Sequence, residues 1–367
     1  MKAALLETPG KPLAIVDDVD IIDPGPGQVR VAVSHCGVCH SDLSVIDGAF
    51  PSPLPVVLGH EAAGVVEQVG AGVDHLAPGD RVVLTPCPPC GRCYWCVRCE
   101  PALCIQSRSI STNTFLDGTT GLSRNGQTVY RGLGVAAFGS HSVTQATGAV
   151  KIDDDVPLDV ACVVGCAVQT GVGAVIHTAG VEEGASVLVM GLGGIGLSIV
   201  QGARLAGAGR IIASDPVAER REAAAHFGAT DTVDPRQRDL GTACLEATGD
   251  IGVDYAFEAA GSAALVEAGL AACRAGGTTV MVGAAPIDQS VTLAPAAVFV
   301  VQEKKLSGCV LGSCNSLLEI PRLLGLWKAG RLDLEALITA RRPLAEINEA
   351  LDDLRNSRGI RTVLEVA

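Results

Sequence analysis

His60 stands between Gly59 and Glu61, 21 residues after Cys39 and far upstream of Cys166. Thiolate and imidazole are donors that a zinc ion keeps at neutral pH. A centre with three protein ligands leaves its fourth position open to a substrate oxygen. A second set of donors lies further on. Cys87, Cys90, Cys93, Cys96 and Cys99 recur at every third residue, and Cys104 follows. Four thiolates close a tetrahedral structural site, so catalysis is not expected in this cluster. The spacing alone does not say which four bind.

A third pattern points to a nucleotide. Gly191, Gly193 and Gly196 form G-x-G-x-x-G directly after the apolar run ASVLVM (185–190) and before a stretch with helical spacing. Such a loop, made of Gly191, Gly193, Gly194, Ile195 and Gly196, turns tightly and offers backbone N–H groups to a pyrophosphate at a helix N-terminus. Asp215 ends the next strand, 19 residues after Gly196. A carboxylate there accepts the adenosine ribose hydroxyls and repels a 2′-phosphate, which favours NAD over NADP. Arg220 either lines the adenosine side or is a solvated helix charge; its position alone does not separate the two.

These patterns need elements to position them. The chain of 367 residues is too long for one ordinary core, so two domains are expected. Apolar residues make up 48% and charged residues 18%, which suits a globular chain with buried strands. A net charge of −13 without a basic stretch argues against nucleic acid as a partner. The apolar runs fall short of a membrane span. The start, MKAALLETPGKP, turns polar too quickly for a signal peptide, so a cytoplasmic protein is expected. In that setting the fourteen cysteines read as metal ligands and ordinary buried thiols, not as disulfides.

Residues 1–85 alternate short Val-rich segments with Gly/Pro turns, as in 28–36, 62–70 and 80–85, and predict a mostly antiparallel β domain. Residues 105–135, rich in Ser, Thr, Asn and Gly, read as a long surface loop. Near residue 155 the pattern changes. Strand-like runs at 185–190, 210–215, 253–260 and 278–284 alternate with helical ones and predict a doubly wound parallel sheet. The segment from about 311 is helical and ends in a strand at 361–366.

Together these features resemble the zinc-dependent medium-chain alcohol dehydrogenases, in particular class III-like bacterial members. The resemblance rests on Cys39-His40-Ser41-Asp42, Gly59-His60-Glu61, Cys90-Gly91-Arg92-Cys93 with Cys96 and Cys104, Gly165-Cys166, the 191–196 loop with Asp215, and the tail RGIRTV. It implies an α/β chain with a GroES-like, mostly β catalytic domain in two segments, 1–165 (with the zinc loop 87–104) and 311–367. A Rossmann domain with a doubly wound parallel sheet, 166–310, is inserted between them. It also implies two zinc ions per chain. Cys39, His60 and Cys166 would hold the catalytic one, with Glu61 behind it and Asp42 fixing the tautomer of His60. Cys90, Cys93, Cys96 and Cys104 would hold the structural one, leaving Cys36, Cys87 and Cys99 as bystanders. His40 would lie near the pyrophosphate, Thr170 near the nicotinamide and Arg361 near the phosphates; Val282 and Arg220 would complete the cofactor set.

The implied reaction is reversible hydride transfer from a primary alcohol to NAD, with Ser41 accepting the hydroxyl proton. The chain departs from the family at Ser44, where many members carry the histidine that ends the proton relay. A hydroxyl is a poor base at neutral pH, so the proton would leave through water or with help from His40. Phe50, Pro86, Phe138 and Val310 would line the substrate channel. Pro86 replaces a common bulky aromatic, so the slot would suit medium-chain, terpenoid or benzylic alcohols better than ethanol. The nearest rival is a thiol-dependent formaldehyde dehydrogenase acting on an S-hydroxymethyl adduct. Its acidic substrate would call for a basic or polar pocket mouth; no clear cluster is evident, although Arg108, Arg124 and Arg131 lie in the 105–135 segment. A non-enzymatic zinc protein on the same fold is a more distant rival. A homodimer is expected, with the strand-like segment 291–301 pairing across a two-fold axis.

Overall fold

The computed structural model describes every residue except Ala294 and Ala367. The chain divides into two compact units, residues 1–169 with 314–367, and residues 170–313. The joints fall four and three residues beyond the expected 165 and 310.

The first unit is built on two β-sheets. Its central strand, Gln28–Gly37, alternates half-buried and buried side chains over most of its length, the period-2 pattern of a sheet with one apolar face. It pairs antiparallel with Glu61–Val69, with His141–Gln145 and with the C-terminal strand Arg361–Glu365. The register sets Gly37 opposite both Glu61 and Val363. The residues just beyond Gly37 and just before Glu61 therefore emerge side by side. The core beneath includes Leu5, Leu58, Leu84, Phe138 and Ile347.

The second unit carries six parallel strands, Ser186–Met190, Arg210–Ser214, Asp231–Val233, Val253–Glu258, Cys273–Met281 and Lys305–Gly308. Counted along the chain, their order across the sheet is 3-2-1-4-5-6, the doubly wound order of dinucleotide-binding domains. The order reverses beside Ser186–Met190, so the glycine loop that follows it lies at the crevice where such sheets bind ligands.

Three expectations need correction. Residues 105–135 are not one surface loop. They contain a short helix, Ser109–Thr112, and an antiparallel pair, Leu122–Arg124 with Gln127–Arg131, and Phe115 and Arg131 within the segment are buried. The segment 291–301 is not a strand: Ala296–Val301 is a helix that starts after Pro295, with Ala294 outside the described residues. Proline fixes φ before the first turn and lacks the N–H that a ladder needs. The strand available at that edge is Lys305–Gly308. Finally, Phe138 has 0% exposure and lies in the core, so it does not line an open channel.

Phe138→Ala separates the core role from a substrate-lining one. Truncating a fully buried phenylalanine costs about 3–5 kcal/mol. Urea unfolding should register that loss, while relative rates on different alcohols stay the same. Changed alcohol selectivity at unchanged stability would restore the pocket role.

Candidate functional site

The geometry of the first site is set by one carboxylate. Asp42 is fully buried in the short helix His40–Ile46 that follows Cys39. Its Oδ2 accepts the Cys39 N–H at 3.1 Å, the reach-back of a helix N-terminal box. Its Oδ1 accepts the Gly59 N–H at 3.0 Å and faces His60 Nδ1 at 3.3 Å. An ionised carboxylate only accepts, so the imidazole proton sits on Nδ1 and Nε2 is left as the donor atom to a metal. Gly59 has φ +86°, and a Cβ there would lie 2.6 Å from Phe138 N, so no other residue fits the turn that delivers His60.

Cys166 arrives from a different segment, at the end of the short helical turn Cys162–Gly165. Gln169, fully buried, donates its side-chain N–H to Gly165 O and accepts the Ser316 hydroxyl at 2.9 Å. Ser316 is also 2.9 Å from the Thr85 hydroxyl. This closed polar chain anchors the turn that carries Cys166. One donor atom each from Cys39, His60, Glu61 and Cys166 lies within 4.8 Å of the others, and all four residues are buried. The hydrogen bond between Cys166 and Cys39 lowers the Cys39 thiol well below its ordinary value and raises that of Cys166. Two sulfurs and an imidazole that converge in this way, one thiol already acidic, fit zinc.

Glu61 and Arg361 form the layer behind. Arg361 Nη1 donates to Val38 O at 2.6 Å and lies 3.2 Å from Glu61 Oε1, with side-chain exposures of 5% and 0%. Burial pushes the Glu61 carboxyl up to about 7, against the pull of Arg361. Arg361, expected at the cofactor phosphates, therefore turns inward and is engaged beneath the metal ligands.

Cys90, Cys93, Cys96 and Cys104 also converge within 4.8 Å. Cys104 Sγ accepts the Cys90 N–H at 3.2 Å, and backbone N–H groups of Cys96 and Ile105 pull Cys93 down to about 6. The structure thus selects four from the five-residue ladder and Cys104. Cys87 points inward, where burial raises its thiol to about 11, and Cys99 is exposed. Cys36 and Cys162 are likewise pushed up by burial, as inert core thiols are.

In the second unit Gly191 follows the strand Ser186–Met190, and Gly193 caps the twelve-residue helix Gly194–Leu205, which includes Ile195 and Gly196. Asp215 Oδ2 accepts the Leu192 N–H and Oδ1 the Val217 N–H, each at 2.8 Å. Arg220 Nη1 is 3.9 Å from Asp215 Oδ2, and Arg221 donates to the Asp215 carbonyl at 2.7 Å. Thr170 and Val282 are buried, at 6% and 8% exposure.

Among the remaining expected residues, Ser41 Oγ is 3.8 Å from Cys39 Sγ. The Ser44 hydroxyl donates to the His40 carbonyl at 3.1 Å, one turn back on the helix, and His40 itself is exposed. Phe50 is half-buried, Pro86 buried and Val310 40% exposed. Gln169, Ser316 and Thr85 carry no spacing signal and were not expected at the site. Residues 85, 169 and 316 meet only in the folded chain.

Two thiolate-rich centres and a doubly wound nucleotide-binding sheet define a metal-dependent oxidoreductase. Residues 25–154 match the alcohol dehydrogenase GroES-like domain, and residues 194–327 match the zinc-binding dehydrogenase domain. An S-(hydroxymethyl)glutathione dehydrogenase of Escherichia coli O1:K1 is 38% identical over 99% of both chains. Benzyl alcohol dehydrogenase from Acinetobacter calcoaceticus superposes with a TM-score of 0.93 at 31% identity, covering 100% of this chain and 99% of that one. A zinc-binding dehydrogenase from Sinorhizobium meliloti 1021, solved with NADP, gives 0.79 at 29% identity, covering 99% and 98%. The chain belongs to the zinc-dependent medium-chain alcohol dehydrogenase family.

Asp42→Ala tests the first site by its metal. Loss of a partner that orients a ligand typically costs 10–100-fold in metal affinity. Elemental analysis after dialysis should find zinc lost from the Cys39–His60–Cys166 centre alone, with the four-cysteine cluster still filled. Equal loss from both clusters would mean that Asp42 supports the whole unit, not this centre.

Proposed function

We propose that the chain catalyses reversible hydride transfer between an apolar primary alcohol, medium-chain, terpenoid or benzylic, and NAD. The buried, convergent set of Cys39, His60 and Cys166 carries this reading. Zinc held there would supply a Lewis acid for the alcohol or aldehyde oxygen. Ser41, beside Cys39, relays the hydroxyl proton, accepting it while giving up its own hydrogen to the next acceptor. Ser44 is no base at neutral pH, and its hydrogen is already directed to the His40 carbonyl, so the proton leaves through water.

Asp215 supports NAD over NADP. Two backbone N–H groups fix its carboxylate at the end of the second strand of the sheet, where it favours a free ribose hydroxyl over a phosphate. Of the two adjacent arginines, Arg221 is committed elsewhere: it pairs with Asp234 at 3.4 Å as well as donating to Asp215 O. The small, buried Pro86 and the half-buried Phe50 favour a roomy apolar slot, in keeping with the benzyl alcohol dehydrogenase relative. We place the protein in the cytoplasm as a homodimer joined through the edge strand Lys305–Gly308, beside the exposed Val300 and Val301. It acts on small molecules and takes neither nucleic acid nor membrane as a partner. Among the described residues no single helix is long and apolar enough to cross a membrane.

A second reading, oxidation of an S-hydroxymethyl thiol adduct, has support from the curated relative at 38% identity and from one cation. Of the three arginines in 105–135, Arg124 is paired with Asp18 at 2.7 Å and Glu7 at 3.0 Å. Arg131 is buried over the Phe115 ring, where burial lowers it to about 9. Arg108 is exposed and has no side-chain partner among the described residues, which leaves it open to a substrate carboxylate.

Steady-state rates on zinc-loaded protein decide between the readings. On the first, kcat/KM for benzyl alcohol and octanol exceeds that for ethanol by about tenfold or more, and NAD is preferred to NADP. A preference for ethanol would refute the apolar slot. On the second, formaldehyde is oxidised only when a low-molecular-weight thiol is added. Arg108→Ala then raises the KM for the adduct by about tenfold, the equivalent of one charge-assisted contact, and far more than the KM for benzyl alcohol.

A further inference from the structure

Glu258 ends the strand Val253–Glu258 in the second unit and is 1% exposed. Its Oε1 accepts the Ala260 N–H at 2.7 Å and the Ser262 N–H at 3.2 Å, while Oε2 has no hydrogen-bond partner among the described residues. A buried carboxylate with a spare oxygen is costly, and an apolar side chain would fill the space without that cost. Burial pushes this carboxyl up, and the amides of Ala260, Ser262 and Gly261 pull it back. The carboxylate therefore has a geometric role that hydrocarbon could not fill.

That role is visible in what the held turn touches. Ala259 N donates to Met190 O at 2.9 Å, and the Glu258 carbonyl accepts Val282 N and Gly283 N, each at 2.9 Å. Residues 258 and 259 thus tie together the C-terminal ends of three neighbouring strands. The turn it caps presses on the glycine loop. Gly191 has φ +88°, and a Cβ there would lie 2.9 Å from Ala260 N and 2.8 Å from Ala260 Cβ. On the other side, a Cβ on Gly283 would lie 2.8 Å from Glu258 Oε2 and 2.2 Å from Gly261 N. Glu258 and its turn are enclosed between the two glycines. Asp215 holds the same loop from its other flank through Leu192 N.

We propose that Glu258 is a positioning residue for the dinucleotide: it holds the 259–262 turn against Gly191 and so fixes the loop whose amides receive the pyrophosphate. The inference rests on the reading of 191–196 as a dinucleotide site. Glu258 touches no reacting atom. Its effect is on cofactor affinity and not on the chemical step.

The test uses the zinc-loaded protein, NADH as the probe, and three variants. Glu258→Ala removes the acceptor, Glu258→Asp keeps the charge but withdraws it by one methylene, and Glu258→Gln keeps an acceptor oxygen without the charge. Zinc content and circular dichroism establish that each variant is folded; should the alanine variant fail to fold, the Asp and Gln pair carries the test. Expected for Ala and Asp is a rise of about tenfold or more in the NADH Kd from fluorescence titration. The KM for NAD should rise in parallel, kcat at saturating NAD should stay within about twofold, and amide exchange should quicken at 191–193 and 259–262. Gln should bind NADH within about threefold of the unmodified protein. NADH binding by the Ala or Asp variant within twofold of the unmodified protein would overturn the proposal, as would Gln being as weak as Asp. If the unmodified protein binds no NADH, the dinucleotide reading itself falls, and this proposal with it.

Discussion

The first site depends on Asp42 accepting three N–H groups from two separate strands' ends. Without it, Cys39 and His60 would be brought near each other by sheet pairing but not aimed. The register that sets Gly37 opposite Glu61 is good to about a residue's width. A metal centre needs tenths of an ångström. The carboxylate supplies that precision by fixing the Cys39 backbone at 3.1 Å, the Gly59 backbone at 3.0 Å and the His60 ring at 3.3 Å. Its own burial is tolerable because every one of those contacts is an N–H donor, and hydrogen bonds to a charged acceptor are the strong ones.

Charge balance explains the next layer. Asp42 and Glu61 are both buried beside the prospective thiolate ligands, and the buried guanidinium of Arg361 faces Glu61 at 3.2 Å. It comes from the C-terminal strand, which pairs with the same central strand that leads to Cys39. The last strand of the chain is thus part of the electrostatics of a site whose ligands all lie before residue 170. That coupling gives a physical reason for the first unit to close with a segment that returns after the nucleotide-binding unit.

How much of this the sequence disclosed follows from the range of each interaction. The β–α alternation of 185–284 and the glycine loop were legible because strand, turn and helix are local patterns with strong residue preferences. The donor residues were legible because cysteine and histidine carry their chemistry in their identity. What failed was long-range or context-bound. The family resemblance put Phe138 at the channel; its packing against Gly59 and within the apolar core, which no local pattern encodes, puts it inside. The segment 291–301 looked like a strand because Val and Ala runs are ambiguous, and Pro295 decided for a helix start. Residues 105–135 looked like a loop because polar composition hid a short β-pair. The Gln169–Ser316–Thr85 chain was not legible at all, since its members are 84 and more residues apart and none is unusual by itself.

The two units share one device. In each, a loop that must present groups with fixed geometry is held by carboxylates that accept backbone N–H groups, and a glycine permits the close approach. In the first unit the pair is Asp42 with Gly59; in the second it is Asp215 and Glu258 with Gly191. The device suits sites that receive charge. A carboxylate that uses its lone pairs on local amides stiffens the loop without adding an apolar wall that would exclude the incoming ligand. It also prices errors steeply, because a mis-set loop leaves both a buried charge and several amides unpaired. That asymmetry is what turns a permissive glycine turn into a single conformation.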